Sequence, residues 1–137
     1  MIAGGCLCGA IRYEASGEPV FQLACHCRDC QYASGGAPAL IIVVPGPSFR
    51  VTQGEPRTFW SKADTGADIG RSFCPECGTP LFSRPTGVGD IVAVKVGGLD
   101  DPSIFAPTAD IWMKSAQPWD HPHEGTARFG SAPAIPT

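Results

Sequence analysis

Short stretches of alternating apolar and polar residues recur along the chain. In "AIRYEA", Ile11 and Tyr13 fall on one side and Arg12 and Glu14 on the other, the period-two pattern of a half-buried strand. "VFQLA", "ALIIVV", "FRVTQ", "RTFWS", "RSFC", "LFSR" and "IVAVKV" are further strand candidates, because Val, Ile, Phe and Trp suit a pleated surface. The clusters "SGEP", "PGP", "QGEP", "PTGVGD" and "GGLDDP" separate them as turns. Strands this short and this regularly punctuated predict a mainly β chain of short antiparallel strands. One or two helical turns are predicted beside them. "CRDCQYASGG" holds one, stopped by Gly35 and Gly36, and "DPSIF" another, starting near Asp100 or Asp101.

No repeat, long linker or low-complexity segment interrupts the pattern, so residues 1–137 read as a single domain. Its Pro-, Gly- and Ala-rich tail, from about residue 121, is expected to end loosely on the surface. Hydrophobic residues make up 43% of the chain and charged residues 17%, which suits a buried core and argues against disorder. The net charge of -3 disfavours a nucleic-acid partner, which calls for a basic patch or stripe. The longest apolar run, "APALIIVVP", is too short to cross a membrane, and "MIAGGCLCGA" does not have the form of an export signal. The expectation is a soluble, cytoplasmic protein without a membrane partner. Its oligomeric state is not legible.

Seven cysteines in such a setting point to metal binding rather than disulfides. Cys74 and Cys77 in "FCPECGTPL" form a zinc-knuckle pattern. Pro75 helps to set its turn, and Gly78 permits the backbone geometry that brings amides to the sulfurs. Cys6 and Cys8 in "GGCLCGA" supply a second pair, and the two pairs together complete a tetrahedral four-cysteine site. Buried thiols or disulfides are the competing reading, but burial alone does not account for "CPECG". Cys25, Cys27 and Cys30 in "LACHCRDCQ" then remain, with no cysteine left to join them. Three protein ligands plus a water or substrate is the arrangement of catalytic zinc. The alternative is a closed structural site completed by His26, Asp29 or His121. His26 lies between two ligands and should project away from their centre, as a surface residue or as a support behind the ligands.

At these residues the sequence resembles the glutathione-dependent formaldehyde-activating enzyme family, which includes centromere protein V. The resemblance rests on "GGCLCGAIRYE", "CHCRDCQ", "SGGAPA", "RSFCPECGTPLF", "GGLDDP" and "DIWMKSAQPWD", in that order over nearly the whole chain. It implies a β-tent fold with two zinc ions: a structural one on Cys6, Cys8, Cys74 and Cys77, and a catalytic one on Cys25, Cys27 and Cys30. It also implies a carbon–sulfur lyase-type activity on a small thiol such as glutathione and an aldehyde, with S-hydroxymethylglutathione as the adduct. Two places depart from the family's pattern. Gln31 and Tyr32 follow the third cysteine of the cluster where basic residues are common, and Asp110 precedes the late Ile-Trp where His is common.

Other residues have plainer readings. Arg71, Arg84 and Trp60 could line a pocket for an anion, but are expected to cover strand faces and reach water. Trp112 and Trp119 read as core or rim aromatics, His121 and His123 as solvated, and Ser34 as a turn residue. The leading functional expectation is a zinc-dependent carbon–sulfur lyase-type enzyme. A non-catalytic zinc-binding interaction module is the alternative. A redox role for Cys27 and Cys30 is disfavoured by the crowding third thiol and by the lack of a βαβ pattern.

Overall fold

The computed structural model describes residues 1–132. The chain runs β1 (Ile2–Gly5), β2 (Arg12–Ala15), β3 (Phe21–Cys25), α1 (Arg28–Ala33), β4 (Ala39–Pro45), β5 (Phe49–Gln53), β6 (Arg57–Lys62), β7 (Asp68–Phe73), β8 (Pro80–Pro85), β9 (Ile91–Lys95), β10 (Ala109–Ile111) and β11 (Ala127–Arg128). Strands β1, β2 and β5 form a three-stranded sheet. The others form an eight-stranded sheet in the order β11-β10-β3-β4-β9-β8-β7-β6. The mainly β architecture is the one the alternation predicts.

The central strands of the large sheet, β4 and β9, are buried on both faces. Ile42 and Val44 of β4, with Val92 and Val94 of β9, pack under the small sheet against Ile11, Tyr13 and Phe49. The Tyr13, Phe49 and Phe82 rings stack through this layer at centroid distances of 5.5 and 4.7 Å. Ile41, Val43 and Ala93 point the other way and form a second cluster with Leu23, Cys25, Cys30 and Ile111. Because successive strand residues face opposite sides, a strand buried on both faces reads as a continuous apolar run, which is what "ALIIVV" is.

The structure departs from the sequence reading in three respects. The strands are not all antiparallel, since β10 pairs in parallel with both β3 and β11. Strands β1, β10 and β11 had no alternation to announce them. In β1 the glycines are required by packing, because a Cβ on Gly4 would lie 2.3 Å from the Gly98 carbonyl oxygen. The tail is also tied down further than expected. The pairing of β11 carries it to Arg128, and the His123 amide and Thr126 hydroxyl both donate to Asp110 Oδ2. Its last five residues lie outside those described.

Both predicted helical turns form. Helix α1 is capped by Cys27, whose Sγ accepts from the Cys30 amide at 3.3 Å, and it ends at Gly35 and Gly36, both at positive φ. A 3-10 turn at Pro102–Ile104 is capped by Asp101. Further 3-10 turns at Gly46–Ser48, Val96–Gly98 and Met113–Ser115 exceed the one or two expected, because three residues carry no periodicity to read. Among the described residues, no helix is long and apolar enough to cross a membrane.

Candidate metal centres and an adjoining cavity

The β1–β2 loop carries Cys6 and Cys8, and the β7–β8 loop carries Cys74 and Cys77. The fold brings these four Sγ atoms within 4.8 Å of one another. Cys6 and Cys8 sulfurs are 3.6 Å apart, and those of Cys8 and Cys74 are 3.8 Å apart. A disulfide needs about 2.05 Å, whereas a tetrahedral ion with Zn–S bonds of about 2.3 Å sets its sulfurs about 3.8 Å apart. The donor set therefore fits zinc.

Local structure supports that set. Gly78 sits at positive φ and donates to the Cys74 carbonyl at 2.8 Å, closing the knuckle turn. The Ile11 amide approaches Cys6 Sγ at 3.2 Å, and the Glu76 amide approaches Cys74 Sγ at 3.4 Å. Thr79 joins the two loops: its Oγ1 lies 3.1 Å from Cys77 Sγ and accepts from the Leu7 amide at 3.1 Å. Hydrogen bonds from the Thr79 hydroxyl and nearby amides push the Cys77 thiol down to about 6. The Ala10 amide favours the Cys8 thiolate too, but sharing a proton with the Cys6 and Cys77 sulfurs drives Cys8 up to about 12. Four adjacent thiols cannot all ionise without a cation among them.

The second cluster takes Cys25 from the end of β3, Cys27 from the cap of α1 and Cys30 from within that helix. Their Sγ atoms also lie within 4.8 Å of one another. Among the described residues, no further His, Cys, Asp or Glu ligand atom joins them. Cys25 and Cys30 are buried and Cys27 is half-buried. Hydrogen bonds from Cys25 and Cys27, aided by the charges of Lys95 and Arg71, push the Cys30 thiol down to about 3. Cys25 is pushed the other way, because it keeps the proton it shares with Cys27 and Cys30.

This cluster opens onto a cavity of about 180 Å³ on the second face of the large sheet. Strand register decides what lines it. Leu23 stands opposite Ile41, which stands opposite Lys95. Val43, Ala93, Ser83 and Arg71 follow one another across the next row. The walls are thus aliphatic, with Lys95 and Arg71 as the cations. The 63–68 loop and Trp112 close the sides. Trp112 adopts a left-handed backbone, φ 57°, which is costly for a large side chain. Its amide donates to the Ser131 carbonyl and helps to hold the C-terminal segment in place.

The residues singled out from sequence divide as follows. Asp29 lines the cavity but does not join the three thiols, and His121 is exposed and apart from them. His26 does point away from the cluster, yet it is buried, which removes the surface reading. Its Nε2 lies 2.8 Å from Asp110 Oδ1 and its Nδ1 3.3 Å from Asp120 Oδ2. Burial opposes ionisation of Asp110, but hydrogen bonds from His26 and Thr126 prevail and hold its pKa below the usual carboxylate range. Gln31 faces away from the cavity: its Nε2 donates to the carbonyls of His26 and Ser115 at 2.8 and 2.9 Å. Tyr32 is exposed, with the Arg28 guanidinium 4.9 Å from its ring.

Ser34 caps α1, as a turn residue should. Arg84 lies over the Phe49 and Phe82 rings, and Trp60 covers Gly70, so both serve strand faces as expected. Arg71 does not: it is half-buried, lines the cavity and leaves its Nε buried without a partner. Lys95 was missed altogether. Its polar position in "IVAVKV" resembles a solvent-facing one, and only the opposing strands show that this face is enclosed. His123 is exposed but donates its amide to Asp110.

Comparison with known proteins places these features in a family. No curated protein matches the chain. A solved crystal structure of a Rhodobacter sphaeroides protein, a structural-genomics target, is similar in fold, with a TM-score of 0.58 and 19% identity over 93% of this chain and 98% of the other. A family model described as glutathione-dependent formaldehyde-activating enzyme matches residues 1–115. Its name gives glutathione and formaldehyde as the family's substrates. The chain belongs to the glutathione-dependent formaldehyde-activating enzyme family.

Proposed function

We propose that the chain is a zinc-dependent enzyme that forms and cleaves a carbon–sulfur bond between a small thiol, such as glutathione, and an aldehyde such as formaldehyde. One observation carries this reading: three buried or half-buried cysteines, without a fourth protein ligand among the described residues, face an apolar cavity, while a separate set of four is complete. Cys6, Cys8, Cys74 and Cys77 would hold a structural ion, and Cys25, Cys27 and Cys30 a catalytic one. When bound, the second ion supplies an open position that favours the thiolate form of an incoming thiol.

The rest of the chemistry belongs to this chain and its substrates. The aliphatic walls exclude water and hold thiol and aldehyde together, so proximity supplies much of the acceleration. The substrate thiolate attacks the aldehyde carbon, a carbon–sulfur bond forms, and the carbonyl π pair moves to oxygen. Solvent then protonates that oxygen to give the S-hydroxymethyl adduct, and the reverse sequence cleaves it. No protein residue acts as nucleophile. The seven free thiols suit a reducing cytoplasm, and the chain works as one domain without nucleic-acid or membrane partners. An interaction module would not need three thiols set in an enclosed cavity.

The test is an adduct-forming assay with formaldehyde and a panel of thiols including glutathione, comparing the metal-loaded protein with Cys27→Ala. The proposal expects a rate above the uncatalysed reaction for at least one thiol, lost in the variant. Background rates with every thiol would overturn it in favour of the interaction module.

A further inference from the structure

Lys95 is only 9% exposed, and among the described residues its Nζ makes no hydrogen bond or ion pair. An ammonium buried in this way is costly without an anionic partner. Arg71 has a parallel deficit. Its Nη1 donates to Ser61 Oγ at 3.2 Å, but its Nε is buried without an acceptor. Both line the cavity that the three cysteines face. They rise from β9 and β7 on the same face of the sheet, with β8 between them, about 10 Å apart laterally. Lys and Arg side chains are long enough to converge across that gap.

The acidic residues around the cavity do not satisfy this pair. Asp68 is exposed and held by Lys62 at 2.7 Å, Asp64 is exposed in the 63–68 loop, and Asp29 is half-buried and makes no ion pair among the described residues. Apart from the cysteine cluster, whose Cys30 thiol they push down, the two cations make no ion pair on the cavity wall among the described residues.

We propose that Lys95 and Arg71 form a carboxylate-binding end to this cavity, so that its preferred ligand is a compact thiol with a carboxylate close to the sulfur. The inference rests on the reading that a thiol occupies the open side of the three-cysteine cluster. Guanidinium and ammonium groups make charge-assisted hydrogen bonds to carboxylates, and Arg can make two in parallel. The cavity is small and its other walls are aliphatic, so it accommodates sulfur and carboxylate together when few bonds separate them. These two cations also supply the positive charge that Gln31 and Tyr32 do not, from strands β7 and β9 rather than from helix α1.

A simpler role is conceivable for the pair: balancing the negative charge of the cysteine cluster. The two roles differ in a measurable ratio. Calorimetric binding of mercaptoacetate and of 2-mercaptoethanol to the metal-loaded protein compares a carboxylate with a hydroxyl on the same two-carbon thiol. Mercaptoacetate should bind at least about tenfold more tightly to the wild type. Lys95→Met and Arg71→Met should each collapse that preference toward unity, and Lys95→Arg should keep most of it. Metal content and near-ultraviolet circular dichroism serve as folding controls.

Weakening of both thiols by the same factor in Lys95→Met and in Arg71→Met would assign the cations to charge balance and overturn the proposal. A wild type that shows no preference, or binds neither thiol, would overturn it without any variant, so it stays falsifiable even if Lys95→Met does not fold. Turnover separates the two levels of argument. A carboxylate preference without turnover would leave this inference standing and refute the enzymatic reading. Turnover without the preference would do the opposite.

Discussion

Replacing one cysteine in each cluster should have unequal consequences for stability. Cys74 is fully buried, and its cluster ties it to Cys8, 66 residues away. A cross-link that closes a loop of this length removes unfolded-state entropy equivalent to about 4 kcal/mol at 25 °C. The second cluster spans only Cys25 to Cys30, and the same relation assigns about 2 kcal/mol to so short a loop. Cys74→Ala should thus cost about 4 kcal/mol or more, most of the stability of a marginal domain of ~5–15 kcal/mol. Cys27→Ala should cost about 2 kcal/mol and leave a folded protein. At roughly 2–4 °C per kcal/mol for a chain of this size, the melting temperatures should differ by at least about 4 °C, with Cys74→Ala the lower or unfolded outright. Thermal melts with metal content measured on the same samples would test this. Equal melting temperatures, or a lower one for Cys27→Ala, would refute the division into a structural and a functional cluster.

Asp110→Ala should cost about 3–5 kcal/mol, because it removes the buried partner of His26 Nε2 and the acceptor of the His123 amide and Thr126 hydroxyl, and limited proteolysis should then cut near residues 120–126. Asp110 also imposes a pH dependence. Its folded pKa lies below its unfolded value, so its stabilisation is present at neutral pH and is lost as pH falls through the folded pKa, below the ordinary carboxylate range; denaturation of Asp110→Ala should lack that component. Gly4→Ala should destabilise by about 1–3 kcal/mol in urea titrations, since its Cβ would overlap the Gly98 carbonyl. A chelator should remove the ion of the three-cysteine cluster first with circular dichroism unchanged, and unfolding should accompany loss of the second ion only.

How much of this was legible depended on whether each signal was local. The knuckle at Cys74–Gly78 and the stop of α1 at Gly35 and Gly36 are written in adjacent residues, and they folded as read; the Cys27 cap was not read, because a cysteine is not an ordinary capping residue. The division of seven cysteines into four and three also followed from spacing. The parallel pairing of β3 with β10 was not legible, because it joins Leu23 to Ala109 across most of the chain. The same distance concealed the His26–Asp110 pair, 84 residues apart. Lys95 and Arg71 were obscured for a different reason. Alternation separates the two faces of a strand but does not say which face meets water. Their face meets the cavity because the chain folds the 63–68 loop and Trp112 over it.

The central claim is that one ion has four cysteine ligands and the other three, with the open position taken by an added thiol. X-ray absorption at the zinc edge reads this directly. Resting protein with two ions per chain should average about 3.5 sulfur ligands per ion, rising to about 4 at saturating thiol. A value already at 4 without thiol, or one that stays near 3.5 in its presence, would contradict the account.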